Sequence, residues 1–586
     1  MTFPQFENAA FTDFFFHWEK IKPHDVFLRQ PKGSEWITYT YQEVGQQARQ
    51  LAHFLETKGV TQNTHVGIVS KNCAEWIITD LALLMLGAIS TPFYANLNCA
   101  EFEVVLRESD SKFLFVGKLE TWDQIKHAIP ANVEVFTFKE HPGHSKIDRG
   151  IPWEDMLNSV SPKTYQPTFS DDDIWTILFT SGTTGSPKGV VLTYGNMRHV
   201  IKVETTQHVI GLKDILGNAH FISVLPLNHI GERMAVEMAC LITGGTISFV
   251  ENIHTFVQNI QDTQPTLMFT VPHLWSKFQL GVLEKMPQKR LDLLFKVPIV
   301  SGIVKKKIKQ KLGLSRMVHP ITASAPIPPD LKKWYIDLGL DLREVYGMTE
   351  TTGLTVLTPR GNKKTGSVGL PIDGLTLKID EETKEILLKG PSILKGYYKN
   401  PEKSVEVIED GWLHTGDRGR LDEDGYLYID GRIQDAFKTS KGKYVVPSPI
   451  EWKFGTNENI EQIVVVGLGL AQPMALIKLS EIGKAKSTSE VEAELLPELQ
   501  RVNEELINFQ RLSHLVIIQD EWTIENKILT PTLKVKRIKA LVKALQSEEI
   551  QEFMLDEWGG SSLYGRFAFI YGSVSICLWA LSILFI

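Results

Sequence analysis

Residues 177–191 read ILFTSGTTGSPKGVV. The apolar run 174–179, rich in Ile and Phe, reads as a strand, and it enters Thr180-Ser181-Gly182-Thr183-Thr184-Gly185-Ser186-Pro187-Lys188-Gly189. Glycines let backbone N–H groups approach an anion closely and tolerate unusual dihedral angles. The five hydroxyls add donors for phosphate oxygens, and Lys188 adds a mobile point charge. A loop of this density directly after a strand is a phosphate cradle rather than a plain surface turn. No GK[ST] closes it and it is not GxGxxG, so the common NTPase and dinucleotide-binding readings fail.

Outward from this loop, short apolar runs at 66–69, 113–116, 221–225 and 266–270 read as further strands. Helical patterns separate several of them, as at Tyr41–Lys58 and Ala74–Leu86. Such alternation predicts an α/β fold with mainly parallel sheets flanked by helices. Between 411 and 432 the texture turns Gly- and Asp-rich, with a DEDG turn between two strand candidates. A smaller unit follows, with strands expected at 463–466 and 474–479 and helices at 488–508 and 536–546. The expected organisation is a large N-terminal domain over 1–430, a small α+β C-terminal domain over 431–546, and an acidic then Gly/Ser-rich linker over 547–566.

The last stretch, 567–586, reads FAFIYGSVSICLWALSILFI and contains no Asp, Glu, Lys, Arg or His. Twenty residues at about 1.5 Å each span about 30 Å, the thickness of a bilayer's hydrocarbon core. It is expected to be a single-pass transmembrane tail anchor, with Arg566 and the rest of the chain on the cytosolic side. The N-terminus lacks the pattern of a cleaved signal peptide. Length, at 586 residues, predicts more than one domain, and a formal net charge of -7 argues against nucleic acid as a partner. The four cysteines, Cys73, Cys99, Cys240 and Cys577, never stand at CxxC spacing. They read as small apolar fillers rather than zinc or redox ligands. The cluster Lys305, Lys306, Lys307, Lys309 and Lys311 reads as a solvated helix face, with a role at anionic headgroups as the alternative.

TSGTTGSPKGV resembles the signature of the adenylate-forming enzymes: acyl-CoA synthetases, luciferases and adenylation domains. Further segments resemble that family's motifs in the same order: LPLNHIGER at 225–233, ASAP at 323–326, YGMTE at 346–350, HTGD at 414–417, Gly431-Arg432, KTSKGKY at 438–444 and TPTLK at 530–534. GPSILKGYYKNPEKS, TPTLK and the Glu232-Arg233 pair look most like long-chain fatty acyl-CoA synthetases.

The resemblance implies roles. Thr180, Ser181, Gly182, Thr183, Thr184, Gly185 and Lys188 would bind the phosphates of ATP, with Ala325, Tyr346, Gly347, Thr349, Asp417 and Arg432 on the rest of the nucleotide. Thr180 and Glu350 would hold Mg²⁺, and His229 and Gly347 would line the acyl pocket. Gln434 would be a hinge for a mobile small domain. Lys441, Gly442 and Lys443 would meet coenzyme A, and Lys534 would bridge the carboxylate and the α-phosphate. The implied reaction has two steps: fatty acid and ATP give acyl-AMP and pyrophosphate, and coenzyme A then displaces AMP. Three other readings stay open: a fatty acyl-AMP ligase or carrier-protein loader, a medium-chain or aromatic-acid ligase, and a membrane scaffold with a dead adenylation fold.

Overall fold

A computed structural model describes residues 2–544, except 7–8, 34, 182–186, 253, 363, 456, 525 and 531–533. Contacts divide the chain into two units, the first ending at Ile429 and the second opening at Asp430.

Two large sheets build the first unit. In an eight-stranded sheet, Ile174–Ser181 lies beside Ile89–Phe93, followed by His65–Val69, Phe113–Val116, Glu134–Thr137 and Ile151–Pro152, all paired parallel. On its other side Pro187–Thr193 and then Gly396–Tyr397 pair antiparallel. A nine-stranded sheet runs Arg343–Tyr346, His319–Thr322, Leu267–Thr270, His220–Ser223, Thr246–Phe249 and Val26–Lys32 in parallel, with antiparallel strands at both edges. Every residue of Leu267–Thr270, His319–Thr322 and Arg343–Tyr346 is buried, as central parallel strands covered on both faces require. The expected strand at 221–225 is shorter, ending at Ser223.

The helices between these strands follow local rules. Tyr41–Thr57 opens on a capping box: Glu43 N–H donates to Thr40 Oγ1, and Thr40 N–H donates to a Glu43 carboxylate oxygen. Ala74–Leu86 is buried along nearly its whole length and stops at Gly87, whose φ of 67° is the left-handed cap that glycine favours. Its one buried Asp, Asp80, is answered by a single cation on another element, described below. A third, antiparallel sheet joins Thr376–Ile379, Glu385–Lys389, Trp412–Leu421 and Ile408–Glu409, and Leu427–Arg432 pairs with Trp412–Leu421.

The second unit has a three-stranded sheet of Ile460–Val466, Met474–Leu479 and Leu515–Ile518. The helices Thr488–Glu504 and Arg537–Ala544 belong to it, the first ending four residues before the expected 508. Its core gathers Val464, Met474, Leu476, Trp522 and Leu541. Among the described residues no helix is long and apolar enough to cross a membrane. The expected tail helix 567–586, the linker 547–566 and Cys577 lie outside the described residues. Cys73 and Cys240 are buried, but Cys99, expected to be a filler, is exposed where the helix Cys99–Glu108 begins.

Candidate functional site

The glycine-rich stretch is not a loop from Thr180 to Gly189. The strand continues through Ser181, and the chain returns along Pro187–Thr193 as its antiparallel partner. Thr180 faces Lys188 in register and Phe179 faces Gly189. Residues 182–186, which hold Gly182, Thr183, Thr184 and Gly185, lie outside the described residues. Gly189 suits this packing, because a Cβ there would stand 2.9 Å from the Ile177 side chain.

Lys188 projects from this hairpin over the ring of Tyr397, with Nζ 5.7 Å from the ring centre. Tyr397 lies on the short strand that pairs with Val190, and its hydroxyl donates to Glu350 Oε1 at 2.8 Å. Burial and the nearby Lys403 ammonium lower the Lys188 pKa, while Glu406 and Glu350 oppose the shift. A cation, a phenol and a carboxylate therefore meet beside the hairpin that also carries Thr180. Two hard oxygen donors, the Thr180 hydroxyl and the Glu350 carboxylate, are of the kind Mg²⁺ takes. Tyr397 was not singled out from the sequence; the only signal was its place in GPSILKGYY.

Glu350 stands in the turn Thr349–Thr351, directly after Arg343–Tyr346. The turn is tight. A Cβ on Gly347 would lie 2.4 Å from the Gly353 carbonyl oxygen, so only glycine fits. The segment before Tyr397 is seated on it: Leu394 N–H donates to the Glu350 carbonyl and Thr352 Oγ1 donates to the Ser392 carbonyl, both at 2.8 Å. Thr349 is buried in the same turn. Tyr346, at the strand's end, donates its hydroxyl to Asp417 Oδ2 at 2.8 Å. Asp417 is itself buried, on Trp412–Leu421, with its N–H on Thr415 Oγ1 at 3.1 Å. Gly416 before it takes φ 71° and donates its N–H to Glu385 Oε1. One hydrogen bond thus joins two motifs 71 residues apart.

Ala325 follows the strand His319–Thr322, next to Ser324, whose φ of 71° is rare for a residue with a side chain. His229 follows the strand His220–Ser223 and is half buried, and its Nδ1 accepts from the Gly231 N–H at 3.1 Å. That bond fixes the tautomer, with the ring proton on Nε2. Ile230, the next residue, packs 3.4 Å from where a Cβ of Gly353 would stand, so the His229 turn adjoins the Glu350 turn.

The chain after His229 holds a buried charge cluster. Arg233 and Asp80 form an ion pair with side chains 0% and 1% exposed. Arg233 also donates to Thr176 Oγ1 at 2.8 Å, on the strand that leads into the hairpin, and lies 3.6 Å from Glu237. Its guanidinium sits 4.5 Å from the Trp175 ring centre. Burial and the Asp80 carboxylate hold the Glu237 pKa far above the ordinary range, which favours its protonated form. Residues 233–238 form a π-helical turn, the wider winding that often accompanies functional sites. Glu232 accepts from the Ser223 hydroxyl and the Val224 N–H, and burial raises its pKa to about 8. The Glu232-Arg233 pair was legible as a family likeness, its buried charge pairing was not.

In the second unit, Arg432 ends Leu427–Arg432 and Gln434 is exposed in the turn Ile433–Asp435. Lys441, Gly442 and Lys443 form an exposed turn between the strands Phe437–Lys438 and Tyr444–Val445, closed by the Thr439 N–H on the Lys443 carbonyl at 2.8 Å. Lys534 is exposed, and its N–H donates to Thr530 Oγ1 at 3.0 Å. Among the described residues, donor atoms of Cys73, Glu75 and His141 all lie within 4.8 Å of one another. His141 Nε2 is 3.3 Å from Glu75 Oε2, a hydrogen bond that holds the Glu75 carboxyl below its usual range against the effect of burial.

Comparison with known proteins places this geometry. The family model described as AMP-binding enzyme matches residues 15–398, and that of the AMP-binding enzyme C-terminal domain matches 434–555. The chain is 26% identical over 567 residues to long-chain-fatty-acid–CoA ligase FadD15 of Mycobacterium bovis, covering 89% of this chain and 93% of that one. It is 29% identical to long-chain-fatty-acid–CoA ligase 5 of Mus musculus, covering 88% and 84%. Among solved structures, the anthranilate CoA ligase AuaEII with anthranoyl-AMP superposes with a TM-score of 0.74 at 21% identity, covering 92% of this chain and 97% of that chain. The AMP-bound A domain of a carboxylic acid reductase from Segniliparus rugosus gives 0.76 at 21% identity, covering 93% of each. At such identity these two structures speak for the fold. With both parts of its length matched by the family's models, the protein belongs to the AMP-binding enzyme family.

Proposed function

We propose that this protein is a long-chain fatty acid–CoA ligase that forms AMP: it converts a fatty acid and ATP to acyl-AMP and pyrophosphate, then transfers the acyl group to coenzyme A. The observation that carries the reading is the meeting of Lys188, Tyr397 and Glu350 beside the hairpin of Thr180. Joining a carboxylate to the α-phosphorus brings two anions together, so it demands cationic and hydrogen-bonding groups aimed at the developing charge. Lys188 supplies such a charge to the phosphates. Tyr397 holds the Glu350 carboxylate in one orientation. Mg²⁺, held by Glu350 and Thr180, would supply Lewis-acid stabilisation of the phosphate oxygens. Asp417, oriented by Tyr346, takes the ribose hydroxyls, and Gly347 lets the backbone turn come close to the nucleotide.

His229, with its proton on Nε2, is a donor suited to a carboxylate oxygen in the acyl pocket. Lys534 serves the first step as a cation between carboxylate and α-phosphate. The turn Lys441–Gly442–Lys443 serves the second, meeting coenzyme A after a rotation about Gln434. Acyl-AMP is a mixed anhydride with a good leaving group, so the thiolate of coenzyme A attacks the acyl carbon directly and no enzymic nucleophile is needed. The uncharged stretch 567–586 supports a membrane anchor with the enzyme on the cytosolic side, where a long-chain acid partitions at about 0.8 kcal/mol per methylene.

The test is pyrophosphate release across acids of graded chain length, with products identified by mass spectrometry when coenzyme A or a carrier protein is supplied. Long-chain acyl-CoA as the main product is expected. Acyl-AMP that passes only to carrier protein, turnover confined to aromatic acids, or no pyrophosphate from any acid would each overturn the reading.

A further inference from the structure

The helices Gln288–Phe295 and Pro298–Lys311 form a hairpin of unusual composition. Together they carry seven Lys and Arg residues, with Lys296 between them an eighth, against one acid, Asp292, in a chain whose formal net charge is -7. Asp292 is already engaged, accepting from Gln288 Nε2 at 2.7 Å. A basic helix face is ordinarily just a solvated one, and then its other outward residues are polar. Here they are not. Leu293, Val297, Ile299 and Ile303 are 66%, 48%, 82% and 53% exposed, while Leu291 and Ser301 are the residues of these helices that are buried. Ile299, Ile303 and Lys306 follow the i, i+4, i+7 spacing of a single helix face, and Lys307 is exposed beside them. The first and last residues of the hairpin are tied to the fold: Trp334 Nε1 donates to Gln288 Oε1 at 3.1 Å, and Gln261 Nε2 donates to the Lys311 carbonyl.

We propose that this hairpin is a docking surface for an anionic lipid bilayer, distinct from the stretch 567–586. A bilayer surface meets both halves of the composition at once. Isoleucine and leucine enter the boundary between headgroups and acyl chains, and lysine stems lie along them with their ammonium groups among lipid phosphates. The cytoplasmic leaflet carries the opposite charge, and each lysine near it adds to the attraction. The surface stands on charge and exposure alone, so it does not depend on which acid the enzyme activates.

Hydrogen–deuterium exchange on the full-length protein tests it, because the readout is local to peptides within 288–311 and blind to insertion of 567–586. Phosphatidylcholine vesicles with phosphatidylserine should slow exchange there at low salt, and vesicles of phosphatidylcholine alone should not. The Lys305→Glu/Lys306→Glu/Lys307→Glu variant should lose the protection, with affinity for the anionic vesicles at this surface down roughly a hundredfold. Ile299→Ser/Ile303→Ser should weaken it at low and high salt alike. None of these residues belongs to the proposed site, so pyrophosphate release with a short soluble acid should match the unaltered protein and report intact folding. Unchanged exchange in the unaltered protein on anionic vesicles, equal protection in the Lys→Glu variant, or stronger protection by RNA than by vesicles would overturn the proposal.

Discussion

Replacing Arg233 by Met tests the buried charge cluster most directly. Methionine keeps most of the side-chain volume and removes the cation that answers Asp80. Both partners are buried, so solvent cannot take over the lost role. Removing one member of a buried ion pair costs about 3–5 kcal/mol, mostly as the desolvation of the charge left behind. The first unit ends at Ile429, and an unfolding entropy of about 2.1 cal/mol/K per residue gives it about 0.9 kcal/mol/K. The melting temperature should therefore fall by about 3–6 °C. Asp80→Asn in the same chain should restore most of the loss, because it removes the carboxylate that Arg233→Met leaves without its partner. Differential scanning calorimetry of both single variants and the double, at one scan rate, gives the coupling as a double-mutant cycle. A coupling below about 1 kcal/mol, or an Arg233→Met protein as stable as the parent, would refute the assignment of Arg233 as the counter-charge of Asp80.

Four further outcomes are expected. Glu350→Gln should raise the Mg²⁺ needed for half-maximal pyrophosphate release, and Tyr397→Phe, losing one hydrogen bond to a carboxylate, should slow it about tenfold; metal titrations check both. Lys534→Ala should abolish acyl-AMP formation and spare thioester formation from supplied acyl-AMP, so equal loss of both half-reactions would count against separate roles for the two steps. Burial raises the pKa of Glu232 to about 8 and those of Glu204 and Glu344 to about 7, above their unfolded values. The folded chain then binds more protons between about pH 4.5 and 8, and stability should fall as pH rises through that window, by up to about 1.4 kcal/mol per pH unit per group. Denaturation midpoints from pH 5 to 8 should show this slope, flattened in Glu232→Gln. Truncation after Gly565 should leave the protein in the supernatant of an alkaline carbonate extraction, still able to release pyrophosphate with short acids, whereas the full chain should stay with the membrane.

Much of the parallel core was legible because its strands announce themselves locally. Runs such as 66–69 and 113–116 are continuous and apolar because both faces of a central parallel strand are covered. The helix Ala74–Leu86 was readable at both ends from its long apolar run and Gly87. The return of the hairpin at 180–188 was not, since a Gly/Ser/Thr-rich stretch carries no alternation to betray strand residues at Thr180 and Lys188. The partners of the candidate site residues were hidden for another reason. Tyr397 reaches Glu350 across 47 residues from a strand only two residues long, and Arg233 reaches Asp80 across 153. Motif spacing finds a residue type in its local setting, but such pairs exist only once the sheets have assembled.

The strands of the two sheets bear on how such a protein changes over time. His229, Ala325, Tyr346 and Glu350 all stand at or just beyond the carboxyl ends of parallel strands, while the strands' own backbone groups are occupied by their neighbours. Reactive groups thus hang from connections that can be lengthened, shortened or exchanged with little disturbance to the scaffold beneath. The connection around His229 is the exception, because its continuation is bolted to the interior through Arg233 and Asp80. Exchanging that connection with one from a relative should succeed only when residues 80 and 233 travel with it, so this part of the molecule is inherited as a set of distant positions rather than as a single loop.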